Sequence, residues 1–514
     1  MMYFDISFLR ETQAIFTCYL GSMLTGYGLA FSAIAIPNIK NDRESQTSFL
    51  DLGKIQISDD NLAWFGNYSM DNHYEIITRL SLASAVSFGQ MIGCLLGGYL
   101  GGKYGPKKTI QLSSLCGVTG WSLLTFSTQI YLLILGRIIC GIGASFTTAN
   151  CSLLVAQYSS RKYRGTFLSL YALMMGCGIL LCYCLGALLY WRYVAAIPPF
   201  LYIFMACALC VVPESPIWQL SHLGDSQAIK SLQWLRYEAF EIKDKIYVPI
   251  LNRNADDVEK ELVELKATKE KQSHGLTMME AVKNLSRSDV RTPFFLVLTN
   301  FFLVPCSGVI AFTFYAVEIF ENAGININKY LAAVIVASVR IVGGFCSIFL
   351  VQKLPRVKLG MTTMSIMSLS TFILGLVFYL KENQVENELL DILPVVCLSI
   401  YTFCFGAGNL RIFFYHIRLY FVSGAGPLQW VFVGELLPPE YKVLSGVITF
   451  FLQCNVFTVS VVFPRMLEAL MPYGTYWLFS AIALSSNVFY YFFVPETRGK
   501  SLLEIQQRFL KHQS

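Results

Sequence analysis

The amino-acid sequence predicts an all-α polytopic membrane protein of twelve transmembrane helices in two six-helix halves, joined by a short helical segment. Three observations carry that prediction. Of 514 residues, 55% are hydrophobic and only 14% charged, with a mean hydropathy of +0.53, whereas soluble domains carry roughly 25% charged residues. Apolar runs long enough to cross a bilayer recur along the chain, starting near residues 14, 80, 109, 131, 166 and 193, and again near 293, 329, 360, 392, 443 and 474; a span needs about twenty apolar residues. Lysines and arginines collect in alternate short loops between these runs, which sets orientation.

The first run, from about Ala14 to Ile36, is too long for the apolar core of a signal peptide and reads as a spanning helix. Lys103, Lys107 and Lys108 follow span 2, Arg161, Lys162 and Arg164 follow span 4, and Lys353, Arg356 and Lys358 follow span 8. Loops on the other side are uncharged or acidic, so the basic loops and both termini are expected in the cytoplasm, in a multi-pass plasma-membrane protein. The loop at about 37–79 is then extracellular, and its Asn67-Tyr68-Ser69 is a glycosylation sequon in a usable compartment. The sequons at Asn150 and Asn284 fall in a span and in the cytoplasmic segment and read as chance.

Four regions follow: an N-terminal bundle (1–212), a cytoplasmic helical linker (213–291), a C-terminal bundle (292–494) and a cytoplasmic tail (495–514). Within the linker, "SQAIKSLQWLRYEAF" and "ADDVEKELVELKATKEKQ" have helical periodicity with mixed charges and predict amphipathic helices on the membrane face. The halves echo each other: "GGYLGGKYGPKKTI" after span 2 and "LVQKLPRVKLGM" after span 8 each end a span on three basic residues. Such duplication marks secondary transporters, whose sites lie at the midplane between repeats.

Other function classes find little support. The net charge of +6 is dispersed in short loops, which excludes a nucleic-acid face. The cysteines lie almost entirely in apolar runs and read as small buried hydrophobes. Cys207 and Cys210 lack a second pair or a histidine partner, so no metal site is expected, and neither a cofactor nor a catalytic nucleophile–base pair stands out.

Taken in order, "GSMLTGYGLAFSAIAIP", "GRIICGIG" (136–143), "PESPIW" (213–218), "GPLQWVFVGELLPPEYK" (426–442) and "PETRGKSL" (495–502) resemble the major facilitator superfamily. Within it the chain resembles the sugar porters, near the insect trehalose and glucose facilitators, over nearly its whole length. The resemblance implies two bundles rocking about a central site, facilitative transport of a sugar or polyol, monomeric function in the bilayer, and no enzymatic activity. It also implies a cytoplasmic latch, with Arg137, Arg164 and Lys442 pairing with Glu214, Glu435 and Glu496, and with the basic residues after spans 2 and 8 nearby. The competing reading is that these charges merely set orientation. Several family positions differ: Gly102, Pro106, Gln157, Arg161, Ile217, Gln352 and Pro355 replace residues of the usual latch.

Sugar hydroxyls call for side-chain amides, which both donate and accept. At the family's amide positions stand Val304, Pro305 and Ile310 in span 7 and Gly176 in span 5, while Arg340 aligns with an asparagine of span 8. The remaining candidates for the substrate are Trp430, Arg340, Gln453, Asn455, Tyr315, Tyr27 and Ser307. Trp430 offers an apolar face for a sugar ring; Gln453 and Asn455 are costly in an apolar run unless they face a cavity or a partner. For Tyr27 and Tyr315 the alternative is ordinary helix packing, and for Arg340 a structural pair with a neighbouring helix. The lost amides leave open a non-transporting relative, a sensor or inert paralogue. A proton-coupled symporter ranks last, because span 1 has no carboxylate between Ala14 and Ile36.

One stretch stands apart. "GAGNLRIFFYHIRLYFVSGAGPLQW" puts Arg411, His416 and Arg418 inside span 10. Removing Asn409 to Gly424 leaves "IYTFCFGAGAGPLQWVFVGE", which follows the family spacing. Gly408-Asn409 and the Tyr-Phe-Val-Ser-Gly that ends the segment can be encoded by donor-like and acceptor-like splice sequences. The segment 409–424 is therefore expected to be an unspliced in-frame intron, and its charges not to be a site.

Overall fold

The computed structural model describes residues 6–45, 70–159, 164–235, 239–242, 246–249, 263, 266, 280, 283–350, 355–385, 387–406, 425–437, 441 and 444–497, with only the backbone at some helix ends. The first half is six helices: span 1 (Ile6–Ser45), span 2 (Met70–Tyr104), span 3 (Pro106–Phe126), span 4 (Ile130–Tyr158), span 5 (Arg164–Leu188) and span 6 (Trp191–Val211). The second half repeats the pattern. Span 7 is broken into Ser288–Val304 and Ile310–Phe314, and spans 8 and 9 are Lys329–Leu350 and Arg356–Glu382. Span 10 is split into Glu388–Gly406 and Ala425–Leu436. Spans 11 and 12 share Leu444–Phe492, which turns at Met471 (φ 59°) just before Pro472. Among the described residues, eight helices are long and apolar enough to cross a membrane by length and composition.

Two boundaries differ from the sequence expectation. Helical structure reaches Ser45 and resumes at Met70, so both ends of the expected 37–79 loop are helix; the polar residues there prolong spans whose apolar cores set their register. In the linker, Pro216–His222 and Asp225–Leu235 are helices, but Ala239–Ile242 pairs antiparallel with Ile246–Pro249 as a hairpin. Ala239 and Phe240, expected to extend a helix, are thus strand: the Phe and Ile of the first strand and the Ile, Tyr and Val of the second carry β propensity that outweighs a weak helical period. The second predicted linker helix lies almost wholly outside the described residues, as do Asn67, Lys353, Lys442 and the segment 409–424 with Arg411, His416 and Arg418.

Close helix packing is set by glycine. A Cβ on Gly26 of span 1 would overlap the Met175 carbonyl of span 5, and one on Gly178 would overlap the Met23 carbonyl in return. Small residues let backbones touch where lipid gives no hydrophobic drive between helices. Trp121 and Trp191 fill the first half's core, Phe31 meeting Trp121 edge-on at 4.9 Å. Large side chains such as Phe200, Tyr491 and Phe492 stay exposed, as a lipid-facing belt requires.

Span 7 bends because Pro305 removes a helical donor and Gly308 takes φ 109°. A Cβ at Gly308 would also strike Phe479 at 2.7 Å. The bend leaves the Phe301 and Phe302 carbonyls to be satisfied from elsewhere, and Asn455 of span 11 donates its amide to both, at 3.1 and 3.0 Å.

Candidate functional site

Each half closes its basic-loop end on a glutamate. In the first, Glu214 accepts from the backbone N–H of Lys107 (2.9 Å) and of Lys108 (3.3 Å), capping span 3. In the second, Glu496 accepts from the N–H of Arg356 (2.8 Å) and of Val357 (3.1 Å), capping span 9. A carboxylate at a helix N-terminus meets unpaired donors and the positive end of the helix dipole. The flanking hydroxyls repeat too: Ser215 bonds Gln157, and Thr497 donates to Glu435 at 2.6 Å. Glu435 also pairs with Arg356 at 3.2 Å. Among the described residues no ion pair crosses from one half to the other.

Of the expected latch, the Arg164 and Lys442 side chains lie outside the described residues. Glu214 and Glu496 hold backbone within their own halves, and Glu435 meets Arg356 of span 9. Arg137 is not at that end at all. It sits seven residues into span 4, fully buried, donating to Leu82 O (3.1 Å), Gly28 O (2.9 Å) and Ser32 Oγ (2.5 Å) beside the Phe31 ring. Span 4 enters from the opposite face, so its early residues lie far from the basic loops. Lys103 is exposed over the rings of Tyr99 and Tyr104 at 5.8 and 5.2 Å, and Lys108 and Lys358 are exposed, while Lys107 donates to Val212 O at 2.6 Å.

The substrate candidates divide into two groups. Tyr27 and Tyr315 are buried and donate to Val194 O (2.7 Å) and Ser460 O (3.0 Å), so both serve helix packing. Ser307 bonds Val304 O (2.7 Å) and Tyr401 Oη (2.9 Å) inside the span 7 bend. Asn455 spends its amide N–H groups on that bend, and its Oδ1 lies 3.2 Å from Cys306 Sγ. These four brace the helices around the junction.

Arg340, Trp430 and Gln453 remain accessible. Trp430 is 52% exposed and stands edge-on to Phe301 at 5.2 Å. Gln453 is half-buried, two residues before Asn455 on span 11. Arg340 is half-buried in mid-span, with its guanidinium 3.4 Å from Thr313 Oγ1 and 5.0 Å from the Phe405 ring. Phe405 abuts Gly426, and Trp430 follows one turn later. The arginine and the tryptophan thus flank one stretch of span 10.

Three partners around Arg340 were not singled out in the sequence: Thr313, Tyr183 and Tyr401. Tyr183 of span 5 donates to Thr313 O at 2.7 Å, which brings the first half against Arg340's contact residue. On the face away from the basic loops, Asn38 of span 1 donates to Tyr330 Oη of span 8 at 3.2 Å. Polar contacts therefore join the halves from mid-span to that face. Paired six-helix halves meeting at a partly accessible polar centre define the transporter class built on two rocking bundles.

The comparisons narrow the class to a family. The model of the Sugar (and other) transporter family matches residues 14–509, and the chain belongs to that family. It is 25% identical over 503 residues to the facilitated trehalose transporter Tret1 of Apis mellifera ligustica, covering 98% of this chain and 88% of that one. It is 28% identical over 448 residues to Tret1 of Bombyx mori, covering 86% and 81%. The fold is similar to the inward-open xylose transporter XylE from E. coli, with a TM-score of 0.70 at 19% identity, over 96% of this chain and 98% of that one.

Proposed function

We propose that this protein is a facilitative transporter that moves a sugar, in the class of trehalose, a hexose or a polyol, by alternating access. The observation that carries the reading is the family match from residue 14 to 509 over two six-helix halves, and Arg340, Trp430 and Gln453, which keep accessible surface, are assigned to the substrate. Trp430 supplies an apolar face for a ring, while Gln453 supplies both donor and acceptor. Facilitation rather than proton coupling is favoured because Arg137 is held by neutral oxygens of Gly28, Leu82 and Ser32, with no carboxylate among those three partners.

The basic loops and both termini face the cytoplasm of a plasma-membrane protein, which puts the Asn38–Tyr330 contact outside and makes Asn67 a glycosylation site. Residues 1–212 and 292–494 are the two rocking halves, 213–291 the linker and 495–514 the tail; the protein works as a monomer. Uptake of labelled trehalose, glucose and a polyol panel in oocytes tests the reading. Saturable uptake above water-injected controls is expected. Surface-expressed protein that moves none of them contradicts it.

A further inference from the structure

Arg137 and Arg340 both lie within long apolar stretches of their spans, and their surroundings differ in kind. Arg137 has neutral acceptors on Nε, Nη1 and Nη2, at 3.1, 2.9 and 2.5 Å, and no exposure. Arg340 makes one hydrogen bond between described residues, at 3.4 Å, and keeps accessible surface. Its five N–H donors are therefore largely unspent. No carboxylate among the described residues lies within ion-pair distance of it. Its neighbours are all neutral: the Thr313 hydroxyl, Tyr183 and Tyr401, the Phe405 ring, and the apolar contact of Ile341 with Gly176, where a Cβ would sit 3.6 Å away.

A charge at the middle of a bilayer is costly, and a partly desolvated charge without a counter-ion more so. The guanidinium fork matches an oxyanion, to which it can donate two parallel hydrogen bonds. We propose that the central site takes a sugar bearing an oxyanion, carboxylate or phosphate, with Arg340 as its charged anchor and Trp430 as the face for the ring. The absence of side-chain amides at 304, 305, 310 and 176 then has a cause: orientation comes from the charged group instead of from a set of hydroxyls. Tyr183 and Thr313 tie the anchor to the opposite half, so the ligand sits where the two halves must separate. The proposal rests on the transport reading above and names its substrate class.

The test uses the full chain in oocytes with labelled glucuronate, glucose 6-phosphate, glucose and trehalose, the methyl ester of glucuronate as a neutral competitor, and surface biotinylation throughout. Uptake of glucuronate or glucose 6-phosphate is expected to exceed that of the neutral sugars, and the ester to compete poorly. Arg340→Gln should cut oxyanion uptake about tenfold or more at equal surface abundance, the scale of a lost charge-assisted pair. Arg340→Lys should restore part of it. If the variants reach the surface poorly, thermal unfolding of purified protein decides: glucuronate or glucose 6-phosphate should raise the midpoint of the wild type and leave Arg340→Gln unmoved. Uptake of neutral sugars alone overturns the oxyanion assignment and leaves the transport reading standing. No uptake of any of the four overturns both, and oxyanion uptake unchanged in Arg340→Gln removes Arg340 from the site.

Discussion

Asn455 and Trp430 separate bracing from binding at the scale of single residues. Asn455→Ala leaves the Phe301 and Phe302 carbonyls without their donor, which costs on the order of 1–3 kcal/mol. The expected outcome is a lower unfolding midpoint in detergent with little change in KM for whichever sugar is transported. Trp430→Ala should do the reverse. At 52% exposure the ring carries little packing, so stability should hold while KM rises severalfold. The sequence made Trp430 and Arg340 visible because an aromatic in a family motif and a charge in an apolar run are each conspicuous. Tyr183, Thr313 and Tyr401 were not visible, since tyrosine and threonine are common in spans and one sequence does not say which face they take. The sequence also leaves Asn455 and Ser307 among the substrate candidates for a related reason. Their hydrogen bonds to the bend of span 7 at Pro305 and Gly308 arise from tertiary structure, which the sequence alone does not display.

At the scale of elements, the internal duplication seen after spans 2 and 8 extends into the capping chemistry. Glu214 and Glu496, which follow spans 6 and 12, cap the matching N-termini of spans 3 and 9. Glu214→Ala and Glu496→Ala should therefore destabilise by similar amounts, about 0.5–2 kcal/mol each, read as paired shifts in thermal unfolding. A large effect of one with none of the other contradicts the equivalence. The motifs Pro-Glu-Ser-Pro and Pro-Glu-Thr revealed both glutamates, but not that each also caps the N-terminus of a helix in its own half. Span 10 carries the second test. Phe405 and Gly426 are twenty-one positions apart in sequence, and five if the sixteen residues 409–424 are discounted. Yet a Cβ on Gly426 would lie 3.3 Å from the Phe405 carbonyl oxygen. The flanks meet as neighbouring turns of one helix do. Deleting 409–424 should leave surface expression and transport at or above the full chain's level, and cDNA amplified across the junction should lack the segment. A deletion that abolishes expression, with transcripts that retain the segment, sinks the intron reading.

For the whole molecule, composition and spacing carried the architecture: twelve spans in two halves follow from apolar runs and their number. What they did not carry was the pattern of ties between the halves, because contacts between distant spans leave no local period. Asn38 and Tyr330 join the halves on the face assigned to the outside, at 3.2 Å. Bridging Asn38→Cys to Tyr330→Cys with a cleavable thiol reagent should stop uptake, and reductive cleavage should restore it; each single variant serves as control for the chain's own cysteines. The most direct test of the central claim is counterflow in proteoliposomes preloaded with trehalose, glucose or glucuronate. A two-bundle facilitator returns loaded faster than empty, so labelled solute should enter rapidly and overshoot its equilibrium level for at least one of the three. Labelled solute that never rises above empty-vesicle controls, with correctly inserted protein, contradicts the account.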